Sequence, residues 1–330
     1  YEEEKEFFAQ WAEREGYGPM DFVPRKKYGA YLQDVLENAK KALEIECIAD
    51  DVLSSRKEGD RYTIETARSG VKQYDHVVLA SGNVRPLHPN VDANVRGYYD
   101  DPWSADFSHI SAAKKIALIG SGLSSVDMVL ALEEKGYTGE ILVFSRNALL
   151  PARHVDPVAF APFLEKSDTR ESPLALLTMI RKEVNSANVP WQSIIDSLRP
   201  FTNTIWQNWS SAQKQHFSRR LLTFWNVHRH RMAPQIADTV ARLHSNGQLI
   251  MVKSGVHAIT GHERPLVHTR SGDHEVDAVI NCLGYRYDEA DRVYEVGDRI
   301  GPARFGELFE TTAIPEIRAQ AHELAQKLSA

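Results

Sequence analysis

Apolar positions along this chain follow two rhythms, and the stretch where one gives way to the other organises the rest. Between Lys114 and Asp127 a short apolar run, Ile116–Ala117–Leu118–Ile119, stops at Gly120–Ser121–Gly122. Apolar residues then resume at helical spacing through Met128, Val129 and Leu132. The run predicts a buried parallel strand and the spacing an amphipathic helix. Glu140–Ile141–Leu142–Val143–Phe144 predicts the next strand.

Upstream, residues 5–15 predict a helix with Phe7, Phe8 and Trp11 on one face, ended by Tyr17–Gly18–Pro19. A second helix runs to about Ala42, with Tyr28, Tyr31, Leu32, Val35, Leu36 and Ala39 as its buried stripe. Three strands are expected at Ile45–Val52, Arg61–Ala67 and Asp75–Ala80, separated by turns at Lys57–Glu58–Gly59–Asp60 and Ser69–Gly70. Pro86, Pro89 and Gly97 mark a linker.

Residues 151–240 change character. Glycine is absent between Gly139 and Gly247, helical patterns appear at Pro173–Val184 and Gln192–Leu198, and four of the six tryptophans fall here. This reads as a helical insertion whose aromatics either fill a core or form an interface. Strands return at Leu249–Val252, Val256–Thr260, Leu266–Thr269 and Glu275–Cys282. A closing helix is expected with Thr311 or Thr312 as N-cap and Pro315 and Glu316 in its first turn.

Composition narrows the class. The chain has 330 residues, 42% apolar and 25% charged, with net charge −6. That length allows two domains. Mild acidity argues against nucleic acid or a membrane surface as the main partner. No apolar run reaches the ~18 residues of a membrane span. Cys47 and Cys282 form no Cys-x-x-Cys, which excludes a local dithiol and fits a reducing, cytoplasmic compartment. The Glu-rich opening carries no signal-peptide pattern, and since Tyr1 is no initiator, an upstream piece is expected.

The candidate chemistry sits at the change of rhythm. In Gly120–Ser121–Gly122–Leu123–Ser124–Ser125, Gly120 permits a tight turn and Gly122 lets backbone approach a pyrophosphate. Small Ser125 lets helix pack on strand, and the helix start offers N–H groups to phosphate. At the end of the next strand, where an NAD site carries an acid for the ribose, stand Ser145–Arg146. A hydroxyl and a guanidinium suit a 2′-phosphate, favouring NADP(H) while leaving NAD(H) possible. The plainer alternative is an ordinary βαβ crossover with a surface arginine.

Two strands of the form Asp-x-Val, ending in a small residue and glycine, flank the motif: Asp75 to Ala80–Ser81–Gly82, and Asp277 to Cys282–Leu283–Gly284. Arg25 and Tyr28 read either as a solvated helix start with an aromatic anchor or as a basic turn facing a cofactor phosphate. His228–Arg229–His230–Arg231 reads as a basic cluster holding an anion or as a solvated face; a His-x-His metal pair lacks a nearby carboxylate or thiol to complete it.

With these stretches the chain resembles the two-dinucleotide-binding flavoproteins, and more closely the FAD/NAD(P)-binding oxidoreductases related to N-hydroxylating and Baeyer–Villiger monooxygenases. The resemblance is carried by Phe22–Arg25 with Tyr28–Leu32, Gly120–Asp127, Ser145–Arg146 with Leu149–Pro151 and His154, His228–Arg231, and Glu310–Arg318. It implies an α/β fold with two Rossmann-like, three-layer dinucleotide-binding domains. Residues 1–95 and 285–330 would form the FAD-type domain, 96–150 and 241–284 the NAD(P) domain, and 151–240 the helical insertion shaping a substrate region.

The same resemblance implies FAD beside Arg25, Tyr28, Ala80, Ser81, Gly82 and the turn Glu310–Thr311–Thr312–Ala313, a nicotinamide cofactor at Gly120–Ser125, and a cofactor-binding crossing at Gly284. That turn would aim helix N–H groups at the flavin. The family's first Gly-x-Gly-x-x-Gly is not in the sequence from Tyr1 on, and the link Tyr285–Ile300 is shortened near Asp288–Arg292. The implied activity is an oxidoreductase in which NADPH reduces FAD and electrons pass to oxygen or a small-molecule substrate. A disulfide reductase is disfavoured without a cysteine pair. A flavin-free NADP-dependent dehydrogenase and a non-catalytic nucleotide- or partner-binding protein are the rivals. No catalytic residue is assigned.

Overall fold

The computed structural model describes residues 2–19, 21–83, 85–110, 112–156, 158–286 and 294–329. The chain divides into two compact units, Tyr1–Gly82 with Glu289–Phe305 and Thr311–Ala330, and Asn83–Asp288 with Gly306–Glu310. Residues 83–95 and 306–310, expected in the FAD-type domain, therefore lie in the second unit. The shortening expected near Asp288–Arg292 falls outside the described residues.

In the second unit five parallel strands lie in the order Leu249–Val252, Glu140–Phe144, Lys115–Ile119, Ala278–Asn281 and Tyr98–Tyr99. Their apolar runs are unbroken because both faces are covered. Ile116, Leu118, Ile141, Val143, Ala278 and Ile280 pack with Val126, Val129, Leu132, Val240 and Leu243 of helices Leu123–Glu134 and Pro234–Ser245. The alternate residues Ala117, Ile119, Leu142, Phe144 and Val279 pack with Ile259, Val267 and Val276. That opposite layer is a second sheet, ordered Gly272–Glu275, Leu266–Thr269, Val256–Thr260 and Asn90–Val91. Each large side chain so buried contributes about 1.5–3 kcal/mol.

The expected strand Glu275–Cys282 is two strands in different sheets, Gly272–Glu275 and Ala278–Asn281. Asp277 sits at the switch. Its carboxylate accepts the backbone N–H groups of Lys114 and Lys115 at 2.8 and 2.9 Å and pairs with Arg264 at 2.8 Å. Helix Pro234–Ser245 packs on the parallel sheet, so its residues up to 240 share the Rossmann core rather than the insertion. Within the insertion, Trp206, Trp209 and Phe217 are buried among Leu176, Leu198 and Ile205. These aromatics fill a core.

The first unit holds helices Glu2–Arg14, Arg25–Ala42 and Ile314–Ser329 and a meander of Val52–Glu58, Arg61–Thr66 and Gly70–Tyr74. The expected strand at Ile45–Val52 is displaced to Val52–Glu58, because the tight turn at Gly59 (φ +65°) pairs Glu58 with Arg61 and fixes the register backwards from there. The expected strand Asp75–Ala80 is reduced to Val78–Leu79, paired in parallel with Asp298–Arg299. The stripe on helix Arg25–Ala42 is not buried: Leu32, Val35 and Leu36 are 50%, 46% and 41% exposed. Within the unit the neighbouring helix meets it at Phe8, against the rings of Tyr28 and Tyr31, and at Trp11, whose Nε1 donates to Asp34 at 2.8 Å.

Removing the charge at the sheet switch gives the first test. Burial opposes ionisation of Asp277, but the Lys115 and Lys114 N–H groups and Arg264 outweigh it, so its pKa is lowered. Asp277→Asn is expected to cost about 1–3 kcal/mol in urea unfolding at pH 7. A lowered folded pKa contributes stability above the ordinary carboxylate value near ~3.9, lost as pH falls through the folded value. The gap between wild type and variant therefore narrows in acid.

Candidate functional site

The turn after strand Lys115–Ile119 is forced by a close approach. Gly120 has φ +104°, and a Cβ there would lie 2.8 Å from the Cys282 carbonyl oxygen. Its N–H donates to Phe144 O while Cys282 N–H donates to Ile119 O, so three strand ends are tied together. Gly122, by contrast, faces open space: a Cβ added there would meet nothing within 4 Å. It is the N-cap of helix Leu123–Glu134 and supplies no side-chain cap. The N–H groups of Leu123, Ser124 and Ser125 thus have no intrahelical acceptor. Ser125 is buried against the sheet.

These features fit a pyrophosphate: uncapped N–H donors, a positive dipole end and room in front of an exposed glycine. Of the neighbouring hydroxyls, that of Ser121 is already engaged. Ser121 Oγ lies 2.6 Å from the Leu149 carbonyl and 2.9 Å from Ser145 Oγ. Ser121 Oγ is the donor in both contacts, its one proton shared between the Leu149 carbonyl and Ser145 Oγ, which accepts. Ser145 accepts there and keeps its own proton for an anion. Arg146 is exposed, makes no ion pair among the described residues, and packs its Cγ by Gly255. Recognition of a 2′-phosphate would rest on Arg146 and the Ser145 hydroxyl.

Gly284, also in this unit, is exposed, and its carbonyl accepts the Leu87 N–H. Cys282 is buried, and burial, with Asp127 and Asp101 adding, pushes its thiol up to about 12. A thiol held protonated is a packing group. The basic cluster is committed to anions of the protein itself. Arg229 pairs with Glu310 at 3.5 Å, both side chains below 10% exposure, and Arg231 donates to Asp196 at 2.5 and 2.7 Å. Glu310, expected near a flavin, is thus held in a buried ion pair, and its N–H donates to Asn203 Oδ1. Among the described residues no group of three His, Cys, Asp or Glu is placed to hold a metal.

In the first unit, Arg25 opens helix Arg25–Ala42 and Tyr28 lies one turn on. Burial raises the Tyr28 hydroxyl, opposed by Arg318 and reinforced by Tyr31, so Tyr28 and Arg318 sit in each other's field. Ala80 and Ser81 are exposed, and Gly82 has φ +70° beside open space. The closing helix starts at Ile314, later than the expected Thr311 or Thr312 cap, because its first i to i−4 bond runs from Ile317 N–H to Ala313 O.

Thr312 is exposed there, whereas Thr311 is 1% exposed and its Oγ1 has no hydrogen-bond partner. Arg318 Nη2 is likewise buried without one. Two orphaned polar atoms at a helix start fit a polar cofactor group more readily than a closed core. Sequence reasoning does not single out Arg318; its place one turn into the closing helix is the signal that could have found it.

Residues 1–84 match the family model described as FAD-NAD(P)-binding. None of the curated proteins compared matches the sequence. Among solved structures, the ornithine hydroxylase PvdA from Pseudomonas aeruginosa is similar at TM-score 0.56 and 15% identity, over 93% of this chain and 76% of that one. DfoA, an FAD-bound cadaverine monooxygenase from Erwinia amylovora, is similar at TM-score 0.52 and 13% identity, over 81% and 59%. A pyridine nucleotide-disulfide family oxidoreductase from Enterococcus faecalis V583 aligns at TM-score 0.38 and 10% identity, over 73% of this chain and 39% of its own length. The chain therefore spans less than two thirds of the latter two. The likeness is one of fold: mixed α/β with parallel sheet, as in the Rossmann-like flavoproteins.

The two glycines separate packing from binding. Gly120→Ala is expected to cost at least about 1–3 kcal/mol, since it adds left-handed strain and a carbonyl clash. Gly122→Ala is expected to change stability by under about 1 kcal/mol. Thermal melts of the two variants check this ordering.

Proposed function

We propose that this chain belongs to an FAD-dependent oxidoreductase that takes reducing equivalents from NAD(P)H, NADPH preferred, and passes them to oxygen or a small-molecule substrate. The observation that carries it is the uncapped helix start at Gly122–Ser125, open to the outside, with unpaired Arg146 at the end of the adjacent strand. The family match over residues 1–84 and the FAD-bound DfoA neighbour support FAD for the first unit. When bound, the two cofactors supply hydride transfer from nicotinamide to flavin and onward transfer to the acceptor.

The chain's own residues bind and orient. Gly122 and the first-turn N–H groups would hold the pyrophosphate, and Arg146 would grip the 2′-phosphate through charge-assisted hydrogen bonds. Tyr28, Thr311 and Arg318 would present polar atoms to the flavin nucleotide, with Arg25, Ala80, Ser81, Gly82, Thr312 and Ala313 around them. A monooxygenase is the form of this activity that the fold likeness to PvdA, an ornithine hydroxylase, and DfoA, a cadaverine monooxygenase, supports. No helix among the described residues is long and apolar enough to cross a membrane.

The test is an absorbance spectrum of the protein incubated with FAD, followed by anaerobic addition of NADPH or NADH. A bound-flavin band bleached faster by NADPH is expected, with Arg146→Gln reducing that preference about 10- to 100-fold, the worth of one charged hydrogen bond. Failure to retain FAD, with direct NADPH-dependent turnover of an alcohol or carbonyl, would favour a flavin-free dehydrogenase. NADPH left unoxidised under every acceptor would favour a binding protein.

A further inference from the structure

The helical insertion encloses a cavity of about 500 Å³, all of it lined from within the second unit. That volume lies within the range of small-molecule pockets. Its walls are aliphatic and aromatic, with Trp191, Trp206, Trp209 and Trp225 among them. The polar lining groups are Arg181, Asn185, Thr202 and His228, and no Asp or Glu lines it. Asp196, the nearest acid in sequence to the wall residue Ile195, is engaged by Arg231.

Of the polar lining groups, Arg181, Asn185 and His228 remain for a ligand. His228 Nδ1 is 2.7 Å from Phe224 O, so Nδ1 carries a proton and donates there, leaving Nε2 open. Arg181 is exposed and makes no ion pair among the described residues. Thr202, in contrast, is satisfied by the Arg199 carbonyl.

We propose that this cavity is the substrate pocket and that it takes an apolar monocarboxylate, aromatic or medium-chain, its tail among the tryptophans and its head toward Arg181. Calling the ligand substrate rests on the oxidoreductase reading; the binding itself does not. A cationic amine would bring its charge into an apolar cavity with no carboxylate to meet it, at a cost that favours exclusion. The carboxylate meets the Arg181 guanidinium instead.

Tryptophan fluorescence of the full chain, titrated with decanoate, decylamine and ornithine in the absence of NADPH, tests it directly. Decanoate is expected to shift emission saturably and to bind at least about tenfold tighter than decylamine. Arg181→Glu, at an exposed position, is expected to abolish or invert that preference. Ile195→Trp, which fills the cavity, is expected to remove the response while circular dichroism stays unchanged. Decylamine or ornithine binding as well as decanoate, a preference unmoved by Arg181→Glu, or no saturable response to decanoate would each overturn the proposal. Flavin reduction by NADPH is read separately, so the cofactor assignment and the pocket can fail independently.

Discussion

The contact on which the second unit depends is the approach of Gly120 to the Cys282 carbonyl, too close for any Cβ. Backbone rather than side chain fills the space where strand Lys115–Ile119 passes strand Ala278–Asn281. The glycine's positive φ then turns the chain so that helix Leu123–Glu134 starts at once, its first N–H groups outward. The helix stays in place because Val126, Val129 and Leu132 share one core with every second residue of the three central strands. A candidate anion site is thus a by-product of how a parallel sheet closes. Gly122 does no packing work, which is why its bareness points to a ligand.

Much of this was legible in the sequence because it is local. Strands Lys115–Ile119, Glu140–Phe144, Leu249–Val252, Val256–Thr260 and Leu266–Thr269 stand where the apolar pattern puts them. Runs apolar on both faces read as central strands, and a long glycine-free stretch reads as helical. What the pattern hid was long-range. The split of Glu275–Cys282 depends on the Asp277 carboxylate reaching Lys114 and Lys115, more than 160 positions away in the chain.

The candidate site was partly legible for the same reason. Glycines state their backbone needs locally, whereas hydroxyls and charges reveal their use only through partners. Ser121 looked like part of a phosphate turn, and its hydroxyl donates to the Leu149 carbonyl. Arg229 and Arg231 looked free for an anion, and hold Glu310 and Asp196. The stripe on helix Arg25–Ala42 is the converse: its periodicity is that of a buried face, yet Leu32, Val35 and Leu36 are exposed. Amphipathic spacing specifies a face, not what covers it.

Whether the Gly122 turn is a phosphate cradle or a bare crossover is decided most directly by calorimetric titration. NADP+ and NAD+ are titrated into wild-type protein and into Gly122→Val. Wild type is expected to bind NADP+ more tightly than NAD+, and the variant, still folded, to lose at least about tenfold in affinity for both. Equal affinity in variant and wild type, or no binding of either dinucleotide to wild type, would contradict the cradle.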